Sequence, residues 1–169
     1  MDCQLRKWKM TDAADLAAAL NNPNIQNNLR DGLPLPYTES DAEQFIQGML
    51  RADPNAVFAF AITVDDRVVG SNGVFRKENI HSRTAEMGYY VAEPFWGKGL
   101  GTCAVRQVSR FIFDRTDILR IFAEPFAYNA ASCRILEKSG FELEGTLRSN
   151  AVKNGQILDM KLYSLVKGC

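Results

Sequence analysis

Apolar residues recur along this chain with two different periods. Ala13, Leu16, Ala17 and Leu20 are spaced three to four apart, and so are Ala42, Phe45, Ile46 and Met49. That spacing places each set on one buried helix face. Thr11-Asp12 reads as the cap of the first helix, and Asn21-Asn22-Pro23 as its stop. Thr38 opens the second helix, with Asp41 three residues on as an acidic variant of the capping box, and Asp53-Pro54 closes it. Between the two, residues 24–37 carry Gly32, Pro34 and Pro36 and read as irregular. A weak alternation over residues 3–8 suggests a first strand.

From residue 57 the pattern becomes that of a sheet. Residues 57–64 are almost continuously apolar, Asp65-Asp66 forms a turn, and 68–76 returns as the partner strand. A polar loop at 77–82 leads to a third strand at 84–91. Three glycines follow, at 97, 99 and 101, directly before another amphipathic helix. That helix has Leu100, Ala104, Val108, Phe111 and Ile112 on one face and Arg106, Gln107, Arg110 and Asp114 on the other. A short strand at 118–123 then lies parallel to the third, as a crossover helix requires. Asn129 caps a helix over 130–139, and Gly140 ends it in the left-handed conformation. Strands at 141–148 and 157–166 flank the hairpin signal Asn154-Gly155. The order predicts one α/β (α+β) domain over residues 1–169, with a mixed, mainly antiparallel sheet.

Composition narrows the function. Lys+Arg and Asp+Glu both number 20, which gives no basic excess for a nucleic-acid surface. No apolar run reaches membrane-spanning length, and MDCQLRKWKM has no apolar signal core. A cytoplasmic protein without nucleic-acid or membrane partners is expected. Cys3, Cys103, Cys133 and Cys169 lack zinc-knuckle spacing, and the single histidine, His81, falls in the polar loop. No metal site is expected.

A strand that ends in glycines and opens a helix makes an anion cradle. Glycines let backbone approach a ligand, and helix N-termini favour negative charge. A Walker loop does not fit, because Lys98 lies between the glycines. A dinucleotide fingerprint does not fit either, because the spacing is GxGxG after antiparallel strands.

Trp96-Gly97-Lys98-Gly99-Leu100-Gly101-Thr102 resembles the pyrophosphate loop of the GNAT N-acetyltransferases. A second stretch, from Asn129 through Ser132 and Glu137-Lys138 to Gly140-Phe141, resembles that superfamily's Asn-x-x-Ser/Ala and Glu-Lys-x-Gly-Phe pattern. Glu86, Gly88, Tyr90, Trp96 and Glu144-Gly145 are similar to the RimJ/RimL-like subgroup. The resemblance implies a splayed central sheet with helices on both faces, acetyl-CoA as co-substrate, and transfer to an amine in a ternary complex.

It also implies roles for particular residues. The pyrophosphate rests on backbone N–H groups of Gly97–Thr102, with Gly99 and Gly101 intolerant of a side chain and Lys98 adding charge. Trp96 stands where many relatives have Gln or Arg, and is expected to pack. Pantetheine pairs with the open strand edge at Tyr90, Val91 and Ala92, and a bulge at Gly88 opens the splay. An N–H near Val91 polarises the thioester carbonyl. Asn129 caps its helix and contacts the CoA arm.

Glu86, among apolar neighbours where burial favours the protonated carboxyl, is the candidate base. Many relatives supply the leaving thiolate's proton from a Tyr seven residues after the Asn, but Leu136 occupies that position. Ser132 is the substitute, and a covalent route through Cys133 has no support. Asn28, Arg30 and Tyr37 are expected on one side of the acceptor cleft, and Arg148, in a loop reaching Gly155, on the other. Arg148 has an alternative role as anchor for Asp159. The acceptor is a protein N-terminus or a small-molecule amine, and the chain is a monomer or homodimer. The alternative is a non-catalytic acyl-CoA-binding or sensing module.

Overall fold

The computed structural model describes residues 1–168; Cys169, counted with the cysteines above, lies outside the described residues. The strands are β1 (Gln4–Arg6), β2 (Val57–Val64), β3 (Arg67–Arg76), β4 (Thr84–Val91), β5 (Arg120–Ala123), β6 (Glu142–Lys153) and β7 (Gln156–Val166). They form one sheet in the order β1-β2-β3-β4-β5-β7-β6, and only the β4–β5 pairing is parallel. The helices are α1 (Ala13–Leu20), α2 (Pro23–Gln26), α3 (Glu39–Arg51), α4 (Leu100–Arg115) and α5 (Ala130–Lys138). One core joins Leu16, Leu20 and Ile46 of α1 and α3 to Ala61 and Val68 of the sheet. The other joins Val105, Val108 and Ile112 of α4 and Leu136 of α5 to Ala85, Met87 and Ile121. Helices therefore cover both faces, as expected.

Local chemistry explains most boundaries. Thr38 and Asp41 form the reciprocal capping box at α3: Asp41 N–H donates to Thr38 Oγ1, and Thr38 N–H to Asp41 Oδ2 at 2.8 Å. Asp65 and Asp66 both take positive φ (50° and 62°), the geometry of a two-residue hairpin turn. Asn154 and Gly155 do the same at 52° and 75°.

Five expectations are corrected, four of them local. The first strand shrinks to Gln4–Arg6, and Trp8 is buried edge-on against Phe45, 5.6 Å between ring centroids. Asp12 does not cap α1 with its side chain. A 3-10 turn precedes the helix, and the carboxylate instead reaches back to Lys9 N–H and pairs with Arg6 at 2.8 Å. Burial alone would push Asp12 up; the Arg6 guanidinium and the Lys9 N–H outweigh it and hold it below its ordinary value. The irregular stretch contains α2, capped by Asn22, whose Oδ1 accepts from Asn24 N–H at 2.9 Å. Residues 148–153 are strand rather than loop, with an irregularity between Leu147 and Ala151 where Ser149 takes φ +53°.

The sheet is notched at its centre. β4 pairs with β5 only from Thr84↔Arg120 to Glu86↔Phe122, yet β4 continues to Val91. No bulge at Gly88 opens the notch. The β3–β4 register is continuous from Gly70↔Val91 to Arg76↔Ala85, with Gly88 opposite Gly73. The chain after β5 departs instead: Pro125 cannot donate to a ladder, and Phe126 bridges to Met160 of β7.

Candidate active site

The notch leaves one edge of β4 open, and alternation decides which groups line it. Ala92 N–H donates to Val69 on the β3 side at 2.8 Å. Successive N–H groups point to opposite edges, so Val91 and Tyr89 N–H face the open edge, and Tyr90 N–H does not. Of the three residues expected to meet pantetheine, Val91 alone offers its N–H there. Tyr90's side chain is partly buried and packs against the α1–α3 core, where burial and then neighbouring Tyr37 push its phenol up.

The glycine turn follows. Gly97 and Gly99 have φ of +73° and +76°, which strain any other L-residue, and an added Cβ at either would meet nothing within 4 Å. Gly99 is the N-cap residue of α4. The N–H groups of Leu100, Gly101 and Thr102 open the helix, where no intrahelical acceptor precedes them. Gly101 is different. It is buried with negative φ, and a Cβ would stand 2.7 Å from Ile135 Cδ1 of α5. Close packing of two helices makes Gly101 intolerant of a side chain, while its N–H stays among those that open α4.

Lys98 is exposed, its Nζ 5.2 Å from the centre of the Phe95 ring. Trp96 does more than pack: its indole N–H donates to Val91 C=O at 2.6 Å and fixes the end of β4 beside the turn.

Asn129 caps α5, its Oδ1 accepting from Ser132 N–H at 3.2 Å. Ser132 meets a residue that the sequence did not single out. Tyr89 Oη lies 2.8 Å from Ser132 Oγ and 3.1 Å from Ser132 C=O. Burial pushes the Tyr89 phenol up. Cys133 is buried in the core.

The acceptor side is built from distant segments. Side chains alternate along β4, so Glu86, Gly88 and Tyr90 face α1–α3 while Ala85 and Met87 face α4. Glu86 does not sit among apolar neighbours: its carboxylate pairs with Arg30, and Lys77 Nζ lies 3.9 Å away. Arg30 is thus brought to Glu86, where sequence reasoning had put it beside the acceptor.

Asn28 Oδ1 accepts from Tyr128 Oη at 2.7 Å. Tyr37 is 5% exposed and belongs to the core beneath the cleft, so it does not wall it. Arg148 is exposed and has no ion pair among the described residues; Asp159 accepts from Ser149 N–H instead, at 2.7 Å.

A cleft of about 280 Å³ lies here, lined by Leu29, Arg30, Glu124, Phe126, Lys153 and Met160 among others. Lys153 pairs with Asp31 at 2.8 Å, and Asn154 bonds Asn27 at 3.2 Å, so the β6–β7 tip clasps the chain after α2. Glu93 accepts from Asn22 and Asn24, which hold its carboxyl below the usual range and tie α2 to the segment before the glycine turn.

Glu124 was missed as a site residue. It lies just beyond β5 on the same face as Glu86, lines the cleft, and has no cation partner among the described residues. In the sequence, its place as a carboxylate just past the short strand at 118–123 is the signal that could have found it.

The acetyltransferase (GNAT) domain family matches residues 3–142. The uncharacterized N-acetyltransferase p20 of Bacillus licheniformis is 29% identical over 168 residues, covering 96% of this chain and 92% of that protein. YdaF of Bacillus subtilis (strain 168), a putative ribosomal N-acetyltransferase, is 29% identical over 171 residues, covering 96% and 90%. Among solved structures, Mycobacterium smegmatis RimJ in complex with CoA-disulfide superposes with a TM-score of 0.87 at 23% identity, over 98% of this chain and 82% of that one. That likeness shows the fold. With a family match over most of its length and relatives aligned nearly end to end, the chain belongs to the GNAT family of acetyltransferases, which draw their acetyl group from acetyl-CoA.

Proposed function

We propose that this chain transfers the acetyl group of acetyl-CoA to a primary amine, at a protein N-terminus or on a small molecule, by direct attack in a ternary complex. The observation that carries the reading is the notch: an open β4 edge leads into a turn with two left-handed glycines and the N-terminus of α4. The edge suits the pantetheine amides, and the turn suits the pyrophosphate. Val91 N–H, on that edge, polarises the thioester carbonyl and stabilises the developing oxyanion. Ser132 Oγ–H donates to the departing sulfur. The name of YdaF, a putative ribosomal N-acetyltransferase, supports a ribosomal protein as one acceptor class.

The attacking amine must lose a proton. Glu86 is one candidate, but it is already engaged by Arg30 and Lys77. That observation favours a second reading, in which Glu124 receives the amine. Glu124 lies two residues beyond Phe122, the β5 partner of Glu86, where β5 leaves β4 and the notch begins, and it lines the cleft.

Steady CoA release with a panel of N-terminal peptides, polyamines, amino acids and aminoglycosides tests the reaction. Turnover with any member supports it. Tight acetyl-CoA binding without release across the panel supports the non-catalytic binding module.

A further inference from the structure

Tyr89 Oη stands 2.8 Å from Ser132 Oγ and 3.1 Å from Ser132 C=O, and it has one hydrogen to give. Two arrangements therefore share the same heavy-atom positions. In the first, Tyr89 donates to the Ser132 carbonyl, and Ser132 Oγ–H donates back to Tyr89 Oη. In the second, Tyr89 donates to Ser132 Oγ, and the serine hydrogen is free to point elsewhere.

Tyr89 packs against the core beneath α4 and α5, and Ser132 N–H is held by Asn129 Oδ1 at 3.2 Å. Both partners are fixed, so the exchange needs only two hydroxyl rotations. Tyr89 N–H also faces the open edge where the CoA arm is expected, which puts the phenol's own residue beside the donor.

We propose that Tyr89 is a positioning residue for acetyl transfer: it switches the Ser132 hydroxyl from a donor to the phenol into a donor to the CoA sulfur. The inference rests on the reading of Ser132 as partner of the leaving thiolate. In the reaction, nitrogen attacks the acetyl carbon, the C–N bond forms, the C–S bond breaks, and the electron pair remains on sulfur. The amine gives one proton to a carboxylate, and one proton reaches sulfur through solvent, so amine and acetyl-CoA become amide and CoA thiol.

Tyr89 supplies a hydrogen bond rather than the proton. A phenolate left in that buried place would be costly, whereas a neutral phenol donating to Ser132 Oγ strengthens the serine as a donor in turn. This arrangement serves sulfur in a chain whose α5 carries Leu136, where the family resemblance implies a tyrosine in many relatives.

The test is a double-mutant cycle on the full chain, with Tyr89→Phe, Ser132→Ala and the double variant. Single-turnover CoA release is followed with hydroxylamine as the acceptor probe, alongside the Kd for acetyl-CoA. Tyr89→Phe is expected to slow transfer about tenfold with the Kd within about twofold, and to add nothing in the Ser132→Ala background. A wild-type rate for Ser132→Ala removes the reading of Ser132, and this inference with it. A slow Ser132→Ala beside a wild-type Tyr89→Phe overturns the Tyr89 switch alone. Equal slowing by Tyr89→Phe in both backgrounds also overturns it, and assigns the phenol to its hydrogen bond with the Ser132 carbonyl.

Discussion

The donor and acceptor sides of the notch are held together in different ways. On the donor side the parts are backbone: the Val91 N–H, two left-handed glycines and the first turn of α4. They lie within about a dozen consecutive residues, and their geometry follows from local φ and hydrogen bonding. On the acceptor side the parts are side chains from segments far apart in sequence. Arg30 meets Glu86, Lys153 meets Asp31, and Tyr128 meets Asn28. A loop built of local backbone rules keeps one ligand, whereas a cleft built of exposed side-chain pairs is free to change its ligand without disturbing the sheet.

The largest expected effect breaks the donor side. Gly99→Asp places a side chain at φ +76° and a negative charge where phosphate is expected. Acetyl-CoA affinity by calorimetry should fall about a hundredfold or more, with the melting temperature lowered by only a few degrees through the left-handed strain. Affinity within a few-fold of the parent would remove the turn from the binding site.

Next comes the choice between carboxylates on the acceptor side. Glu124→Gln should lower kcat by about a hundredfold, and Glu86→Gln by less, because Glu86 is already held by cations. The reverse order would return the proton to Glu86. A third variant separates two glycines that look alike in sequence. Gly101→Val should cost about 1–3 kcal/mol of stability through contact with Ile135, and Ile135→Ala should recover part of it. Gly101→Val that melts like the parent but loses acetyl-CoA would restore a ligand role to Gly101.

The same division explains what could be read from the chain. The Thr38–Asp41 box, the Asp65-Asp66 and Asn154-Gly155 turns, and the Asn129 cap with its left-handed Gly140 are short-range solutions to unpaired backbone groups. Each is encoded within a few residues, so pattern reasoning finds it. Asp12 looked like a cap, but Arg6 sits six residues away with a better offer for its carboxylate. Gly88 looked like a bulge, because a glycine in a strand often marks one; the notch is opened by where the chain goes after Ala123. Tyr89 alternates correctly for a core position, and nothing local shows that its hydroxyl reaches Ser132, 43 residues on.

The smallest expected effect probes the clasp. Lys153 is 11% exposed and its partner Asp31 is 76% exposed, so the pair is open to solvent on one side and worth about 0.2–1 kcal/mol. Lys153→Ala should therefore barely lower the melting temperature. It also frees the β6–β7 tip from the chain after α2, leaving the Asn154–Asn27 bond as the direct tie there. The KM for the amine should shift by about two- to fivefold, the scale of one exposed pair, while the KM for acetyl-CoA stays constant. A change in the acetyl-CoA KM of equal size would show that the clasp also shapes the donor side. The two halves of the notch would then be mechanically one.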